Sequence, residues 1–242
     1  MKIEAFVIHL ARAEARKPQV SRIVAALPVK ATVVDAVDGQ TLNKAELDAV
    51  YAPRLHKPYF PFEISKGEIA CFLSHRKAWQ MIVDRGLDAG LVIEDDVEVD
   101  PVVFGEALNL AKNLVGHCCY VQFQVRILPV TGRVICESYA IKVFTPRIIP
   151  LRATFQLIDR DAAIRLLSTT ERFDRPVDGV TQMRWLTKVP VSVVMPSGVR
   201  ELSDDLGGST VQKIKKPFGF RLRHEFWRII YRMQIKLYSA RS

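Results

Sequence analysis

Residues 91–96 read Leu-Val-Ile-Glu-Asp-Asp, so a short apolar run passes directly into three consecutive acids. A wholly apolar, partly β-branched run is typical of a central strand that is buried on both faces of a parallel sheet. Ligands of open α/β sheets bind beyond the carboxyl ends of the strands, which is where the acids would lie. This stretch therefore predicts an α/β fold with an acidic site at one end of its sheet.

The residues before this strand predict a helix and, further upstream, a βαβ unit. Ser65 and Glu68 have the spacing of a capping box, and apolar residues then recur at helical intervals as far as Gly86. Glycine is typical of helix C-termini. Residues 6–10 and 33–34 predict strands on either side of another helix, an order that implies parallel pairing. We therefore expect a mostly parallel sheet flanked by helices.

The rest of the chain gives weaker patterns and an uneven charge. Apolar periodicity predicts further helices and strands at residues 104–115, 120–128, 134–143, 154–158, 161–167 and 189–194. The formal net charge is +9, and residues 213–242 hold nine basic residues against one acid, so the preceding part is close to neutral. We therefore expect a domain at residues 1–212 and a basic amphipathic tail at residues 213–242.

The tail predicts a helix with an apolar face and a neighbouring basic stripe. The apolar set is Leu222, Phe226, Ile229, Ile230, Met233 and Leu237, and the basic set is Arg221, Arg228, Arg232 and Lys236. Such a helix suits an anionic membrane surface, which residues 217–242 would contact. Packing on the chain's own domain or on a second subunit is the alternative. We expect no nucleic-acid partner, because no recognised binding motif accompanies the basic tail.

The cysteine pattern indicates a reducing compartment, and the hydropathy argues against a membrane-spanning helix. Cys71, Cys118, Cys119 and Cys136 form no C-x-x-C pair with histidines, which argues against a zinc–thiolate site and favours free thiols. No apolar run approaches the roughly 18–20 residues that a spanning helix requires, and the apolar start lacks a signal-peptide cleavage site. We therefore expect a cytoplasmic protein that is peripheral on the inner face of the cytoplasmic membrane.

The three acids are the strongest chemical signal. Two unit charges roughly 4 Å apart repel by about 4 kcal/mol at an effective dielectric of about 20, and a divalent cation would offset that repulsion. Mg²⁺ and Mn²⁺ prefer carboxylate oxygens and keep positions open for substrate phosphates. We therefore take Asp96 and Glu94 as candidate metal ligands, with Mn²⁺ or Mg²⁺ as the cofactor. A solvated acidic turn is the alternative interpretation.

Two further segments could carry chemistry. Arg76 could bind a phosphate and its neighbour His75 could carry a proton, although a structural histidine would give the same sequence. Asp178 follows a proline turn and could be either a turn or capping residue or a general base for an acceptor hydroxyl. Neither a P-loop nor a dinucleotide-binding fingerprint occurs in the sequence.

Taken together, these segments resemble glycosyltransferase family 25, the lipopolysaccharide and lipooligosaccharide sugar transferases related to the procollagen galactosyltransferases. Residues 66–79, KGEIACFLSHRKAW, are similar to the family's G-E-x-G-C-x-x-S-H stretch, and residues 91–97, LVIEDDV, are similar to its apolar-E-D-D motif. Residues 6–16 and 175–178 show weaker similarity. His9 and Ala11 depart from the family's usual Asn and Asp.

The resemblance implies a GT-A fold, which is a Rossmann-like sheet with a D-x-D-type metal site. It implies inverting transfer of a sugar, most often galactose from UDP-galactose, to a saccharide acceptor of the outer envelope, such as a glycolipid. Asp96 and Glu94 would hold the metal ion, and Asp178 and His75 would be the catalytic residues. The donor-binding residues would be Glu68, Ser74, Arg76, Glu94 and Asp95.

Two functions of other classes remain open. A non-catalytic nucleotide-sugar or carbohydrate-binding protein could keep the same fold and motifs. A metal-dependent phosphoryl-transfer enzyme could use the same carboxylates on phosphodiesters. Release of UDP from a nucleotide sugar would separate the transferase from both.

Overall fold

The computed structural model describes residues 1–202 and 218–240, with only the backbone of residues 218–223. Its strands are β1 (Ile3–His9), β2 (Ala31–Asp35), β3 (Ala89–Glu94), β4 (Val97–Val99), β5 (Tyr120–Phe123), β6 (Gly132–Ser138), β7 (Ile141–Pro146), β8 (Phe155–Asp159), β9 (Val191–Met195) and β10 (Val199–Glu201). Its α-helices are α1 (Lys17–Ala26), α2 (Lys44–Val50), α3 (Lys66–Asp84), α4 (Pro101–Lys112), α5 (Arg160–Thr169), α6 (Val177–Thr181), α7 (Arg184–Thr187) and α8 (Phe218–Ala240).

Eight strands form the main sheet, in the order β2-β1-β3-β8-β5-β9-β7-β6. Parallel pairing joins β1 to β2 and β3, and β5 to β9, whereas β7 and β8 are antiparallel to both of their neighbours. All strands of this sheet except β7 and β8 therefore point in one direction. The predicted α/β class with a mostly parallel sheet flanked by helices is confirmed.

Helices cover both faces of the sheet because its central strands are apolar on both faces. Along β1, Phe6 and Ile8 lie in one core with residues of α3 and α5, whereas Ala5 and Val7 lie in a second core with residues of α1 and α4. The apolar run at residues 91–93 has no exposed surface. It is the buried central strand that the sequence predicts, and it carries the acids to the carboxyl end of the sheet.

The predicted capped helix is α3. The Ser65 hydroxyl accepts the backbone N–H of Glu68, and the Glu68 carboxylate accepts the backbone N–H of Ser65. The helix ends at Asp84, two residues before Gly86, whose φ of +59° lies in the left-handed region that glycine adopts readily. Both helix boundaries therefore follow from local sequence signals.

Three local features differ from the predictions, and the first is that the strand predicted at residues 120–128 ends at Phe123. The strand predicted at residues 134–143 is an antiparallel hairpin of β6 and β7, with Tyr139 in its turn at a φ of +50°. Residues on both sides of this turn favour strands, so composition did not mark the break. Helix α2 was not predicted, although Asn43 and Glu46 form a complete capping box at its start.

Helix α8 packs on the domain through one face and leaves another face uncovered by the described residues. Tyr231, Ile235 and Ser239 are buried, and the Tyr231 hydroxyl accepts a hydrogen bond from Arg175 Nη1 at 2.8 Å. The side chains that keep between 56% and 60% of their surface exposed are Phe226, Ile229, Met233 and Leu237. The helix therefore packs on its own domain with a face other than the predicted apolar one.

The structure describes only part of the predicted tail. Residues 203–217 and 241–242, and with them the boundary predicted after residue 212, lie outside the described residues. The same holds for the side chains of Arg221 and Leu222. The division into domain and tail therefore stays a prediction. No helix within residues 1–202 and 218–240 is both long enough and apolar enough to cross a bilayer.

Candidate functional site

A cavity of about 590 Å³ opens at the carboxyl ends of β1 and β3. Residues that follow β1 and β2, the start of α3 and the three acids form its walls. Gly39 lets the loop after β2 approach α3, because a Cβ at this position would lie 2.8 Å from the carbonyl oxygen of Lys66. The cavity is where an open α/β sheet is expected to bind its ligand.

Asp95 holds the acidic segment in place. One of its carboxylate oxygens accepts a hydrogen bond from Arg16 Nη1 at 2.6 Å, and the other lies 2.7 Å from His9 Nδ1. All three residues are buried. Both oxygens are engaged by side chains of the protein, which gives Asp95 a positioning role; because Asp95 also borders the cavity, its predicted donor contact stays a prediction.

Asp96 and Glu94 carry the negative charge that borders the cavity. Asp96 Oδ1 is buried and has no hydrogen-bond partner among the described residues, and Oδ2 lies 3.7 Å from Arg16 Nη1. Burial raises the pKa of Asp96 to about 7, with the charges of Glu94 and Asp95 adding to the shift and Arg16 opposing it. A buried carboxylate oxygen without a partner is unfavourable unless a ligand contacts it.

The predicted metal ligands fit a hard divalent cation. Asp96 offers a carboxylate oxygen that the described residues leave unpaired, and Glu94 offers a second carboxylate on the same cavity wall. Oxygen ligands of this kind are those that Mg²⁺ and Mn²⁺ prefer. The structure therefore brings Asp96 and Glu94 to one cavity, as predicted, while the choice of cofactor stays a prediction.

The second block of predicted residues lies on α3, where Ser74 borders the cavity and His75 lies behind it. Ser74 accepts the backbone N–H of Val37 at 2.9 Å and donates to the carbonyl of Ala70 at 2.7 Å, so it ties the loop after β2 to α3. His75 has no exposed surface, and its Nε2 lies 3.3 Å from Glu94 Oε1. The ring therefore lies against Glu94 from the buried side, and the predicted catalytic role of His75 stays a prediction.

Arg76 and Glu68 were predicted to bind the donor, and the structure gives both of them structural partners. Arg76 Nη1 donates to the carbonyl of Leu167 at 2.8 Å and to the hydroxyl of Thr170 at 2.5 Å, which joins α3 to the end of α5. Glu68 closes the capping box described above, with its Oε2 2.8 Å from the Ser65 hydroxyl. Neither side chain borders the cavity.

Cys71 is a cysteine that lies beside the acidic segment. Its Sγ lies 3.7 Å from Glu94 Oε1, and the side chain borders the cavity. Burial raises the pKa of the Cys71 thiol well above its ordinary 9.0, and the charges of Glu94 and Asp178 add to the effect. The thiol is therefore protonated at neutral pH and is not an activated nucleophile. All four cysteines are free, as predicted.

Asp178, the predicted base, lies in the first turn of α6. Its Oδ2 accepts the backbone N–H of Arg152 at 3.1 Å. Burial raises the pKa of Asp178, and the charge of Glu94 raises it further, while hydrogen bonds from the backbone of Arg152 and Gly179 oppose the shift. Asp178 does not line the cavity itself, but it is close enough to Glu94 for the two charges to interact. Its assignment as the base stays a prediction.

Sequence reasoning missed the basic partners of Asp95. His9 ends β1 and Arg16 follows it in a short 3-10 helix, so both lie beside the end of the neighbouring strand β3. The parallel pairing of β1 and β3 could have indicated these partners, because the carboxyl ends of adjacent parallel strands lie side by side. The sequence does not show which of several basic residues after β1 turns inward.

Three named relatives resemble less than half of this chain. The human protein named procollagen galactosyltransferase 2 is 35% identical over 114 residues, which is 46% of this chain and 18% of that protein. Procollagen galactosyltransferase 1 of Danio rerio is 38% identical over 114 residues, again 46% of this chain and 19% of that protein. A mouse relative, named inactive glycosyltransferase 25 family member 3, is 42% identical over 97 residues, or 39% of this chain and 16% of that protein. The matched segment thus spans less than a fifth of each relative.

Solved structures show only distant likeness. A glycosyltransferase involved in the glycosylation of the major capsid of PBCV-1 has a TM-score of 0.38 and 12% identity, covering 70% of this chain and 65% of that one. Protein A197 from STIV has a TM-score of 0.39 and 12% identity, covering 89% of this chain and 99% of that one. The model of glycosyltransferase family 25 (LPS biosynthesis protein) matches residues 2–125, just over half of the chain, with both motifs and the acidic site inside the match. The chain therefore belongs to glycosyltransferase family 25.

Proposed function

We propose that this protein transfers a sugar from a UDP-sugar to a saccharide acceptor, with a divalent cation at Asp96 and Glu94. The observation that carries the proposal is the buried, unpartnered Oδ1 of Asp96, which borders the same cavity as Glu94. Bound Mn²⁺ or Mg²⁺ would stabilise the negative charge that develops on the departing UDP. Family membership supports this reaction class over phosphoryl transfer.

The chain's own residues would orient the site. Arg16 and His9 hold Asp95, which fixes the backbone on which Glu94 and Asp96 stand. His75 lies against Glu94 from the buried side and restricts its carboxylate. Binding groups held in this way lose little conformational freedom when the donor arrives.

Asp178 is the proposed general base. An acceptor hydroxyl would attack the anomeric carbon of the donor, and the bond from that carbon to the diphosphate oxygen would break with its electron pair passing to UDP. The Asp178 carboxylate would take the hydroxyl proton. A carboxyl group with a raised pKa is better matched to this proton transfer than an ordinary aspartate.

Galactose and an envelope saccharide are the proposed sugar and acceptor. Relatives named procollagen galactosyltransferase support galactose, and the family's description as an LPS biosynthesis protein supports lipopolysaccharide or lipooligosaccharide as the acceptor.

UDP release from a panel of UDP-sugars, with and without Mn²⁺, tests the reaction. We expect release that depends on Mn²⁺, is fastest with UDP-galactose and is lost in Asp96→Asn. Glu98→Gln is the matched control, because this acid is two residues away and pairs with Arg200 on the surface. Near-wild-type turnover in Asp96→Asn would rule out the metal role.

A non-catalytic binding protein is the second candidate. The specific observation in its favour is that relatives named inactive match this chain as well as the galactosyltransferases do. Such a protein would bind UDP with Mn²⁺ but release no UDP from any sugar donor. The same panel therefore separates the two functions when UDP binding is measured beside turnover.

The exposed face of α8 is the proposed contact with an anionic membrane. Four apolar side chains, Phe226, Ile229, Met233 and Leu237, are exposed there, with Arg232 and Lys236 exposed beside them. Each basic residue near an anionic bilayer contributes about 1 kcal/mol to binding. The occupant proposed is a bilayer and not a second subunit, because residues 213–242 hold nine basic residues against one acid and two copies of so basic a segment would repel each other. A lipid-linked acceptor on the inner face of the cytoplasmic membrane would then be within reach.

Vesicle sedimentation tests this contact. We expect the wild type to bind phosphatidylglycerol vesicles and not phosphatidylcholine vesicles, and a double variant, Ile229→Asn with Met233→Asn, to lose that binding. Point variants are preferable to deletion of residues 217–242, because α8 also buries Tyr231 against the domain. Ile164→Asn, an exposed apolar residue of α5, is the control. Unchanged vesicle binding in the double variant, or a dimer that the variant abolishes, would contradict the membrane role.

A further inference from the structure

Three potential metal ligands of different chemistry meet behind the acidic site. Cys71 and His75 lie four residues apart on α3 and therefore point the same way, towards Glu94 at the end of β3. The ligand atoms Cys71 Sγ, His75 Nε2 or Nδ1 and a Glu94 oxygen all lie within 4.8 Å of one another. These three residues differ from Asp96 and Glu94, the pair proposed to hold the cation that contacts the donor, because they offer one sulfur, one nitrogen and one oxygen ligand.

Two of the three separations match a tetrahedral zinc site, and the third, between Cys71 and His75, lies within 4.8 Å. With Zn–N, Zn–S and Zn–O lengths of about 2.0 to 2.3 Å, neighbouring ligand atoms of a tetrahedron lie about 3.3 to 3.6 Å apart. The observed separations are 3.3 Å for His75 Nε2 to Glu94 Oε1 and 3.7 Å for Cys71 Sγ to the same oxygen. Small side-chain adjustments would suffice to close the site around an ion.

His75 lacks the hydrogen bonds that a purely structural histidine would have. The ring has no exposed surface, and Nδ1 has no partner in the described part of the chain. The single contact, from Nε2 to Glu94, is long for a hydrogen bond. A buried imidazole with one weak polar contact is unfavourable by itself, whereas metal ligation would satisfy one of its nitrogens.

We propose that Cys71, His75 and Glu94 form a three-ligand site for a thiophilic divalent ion such as Zn²⁺. Cys71 and Glu94 border the cavity, so the fourth position of the tetrahedron would face the cavity and hold water or a ligand oxygen. Mixed sulfur, nitrogen and oxygen ligands favour zinc over Mg²⁺ or Mn²⁺. Because Glu94 belongs to both sets, zinc at this site would compete with a hard cation at Asp96 and Glu94. Zinc binding at these three residues does not depend on sugar transfer.

Cobalt and zinc titration of the metal-free full-length protein tests the site. We expect one equivalent of Co²⁺ to bind with the intense visible bands of tetrahedral cobalt and a thiolate-to-cobalt charge-transfer band, both removed by one equivalent of Zn²⁺. Cys71→Ser should lose the charge-transfer band and weaken zinc binding by about 100-fold or more. Cys136→Ser, a variant of a cysteine in the β6–β7 hairpin, should leave both unchanged. Asp96→Asn should also bind zinc normally, which separates this site from the carboxylate pair.

Proton release gives a second measurement. Because the Cys71 thiol is protonated at neutral pH and zinc binds the thiolate, we expect one equivalent of Zn²⁺ to release about one proton into a weakly buffered solution, as read with an indicator dye, and Cys71→Ser to lose this release. The inference is overturned if cobalt gives only the weak spectrum of an octahedral oxygen site, if Cys71→Ser that retains the wild-type circular dichroism binds zinc like the wild type, or if zinc binds without releasing a proton. Failure of these tests would leave the proposed transfer reaction untouched, because that reaction is read from UDP release.

Discussion

The three consecutive acids that begin at the end of β3 border one cavity but differ in their partners. Both oxygens of Asp95 are engaged by Arg16 and His9, whereas Asp96 Oδ1 has no partner among the described residues and Glu94 Oε1 makes long contacts with Cys71 and His75. Asp95 and Asp96 lie in the bend after β3, where Asp95 turns towards the basic residues that follow β1. A run of like charges can therefore contain one structural residue and two that are available to a ligand.

Substitution of Asp95 tests its structural role. We expect Asp95→Asn to lower the free energy of unfolding by about 3 kcal/mol, because removing one partner of a buried ion pair leaves Arg16 poorly compensated. Urea denaturation measures the change. Glu98→Gln, which breaks a surface pair with Arg200, should change it by less than about 1 kcal/mol. A loss in Asp95→Asn no larger than in this control would contradict the assignment.

Asp96 gives the metal-free protein a distinct pH dependence. Burial raises the pKa of Asp96 to about 7 from an ordinary 3.8, so the folded protein keeps a proton that the unfolded chain releases between these values. The contribution to stability is therefore complete below about pH 4 and is lost as the pH rises through about 7. Urea midpoints measured with a chelator should show this fall in the wild type and less of it in Asp96→Asn. Parallel profiles for the two proteins would be inconsistent with the raised pKa.

Asp178 should matter for turnover and not for the fold. We expect Asp178→Asn to lower the transfer rate by about 10² to 10⁴, the usual contribution of a general base. The amide oxygen can still accept the N–H of Arg152, so UDP binding and the unfolding midpoint should stay close to wild type. Single-turnover kinetics beside UDP titration would separate these effects. Wild-type turnover in this variant would show that another residue is the general base.

At the scale of elements, α3 links the sheet to the site. Its first turn meets the loop after β2, and its second and third turns carry the side chains that contact Glu94. The capping box and the apolar periodicity made this helix predictable, and the apolar run of β3 made the strand predictable. The roles of its polar residues were not predictable, because Arg76 reaches Thr170 of a segment far away in sequence.

The contact of α8 with the domain depends on one buried arginine. Arg175 has no exposed surface and donates to Tyr231, to Asp174 and to two loop carbonyls. We expect Tyr231→Phe to lower the free energy of unfolding by about 1 to 2 kcal/mol, because the arginine loses a buried acceptor. Tyr238→Phe is the matched control in the same helix. Equal stability of Tyr231→Phe and the wild type in urea would show that this contact contributes nothing.

The local sequence did not identify the face with which α8 packs. Its exposed apolar residues have the spacing expected of a packed stripe, yet the helix buries Tyr231, Ile235 and Ser239. Aromatic packing of Tyr231 on Phe60 and the bond to Arg175 favour this other face. Both partners lie in distant parts of the chain, so periodicity within the helix carried no information about them.

At the scale of the whole molecule, the parallel β1–β3 pair and α3 together build the cavity from the half of the chain that matches the family. The later half completes the sheet and supplies Asp178 and α8. This division agrees with the family match at residues 2–125 and with the two main motifs inside it, at residues 66–79 and 91–97. The acidic site was predictable because it follows from one strand and its topology.

Calorimetric titration of UDP in the presence of Mn²⁺ or a chelator addresses the acidic site most directly. We expect UDP to bind the wild type about tenfold more tightly, or better, with Mn²⁺ than with a chelator, because the ion couples the diphosphate to Asp96 and Glu94. Asp96→Asn should lose this difference, whereas Glu98→Gln should keep it. UDP affinity that is the same with and without Mn²⁺ in the wild type would contradict a divalent cation at these two carboxylates.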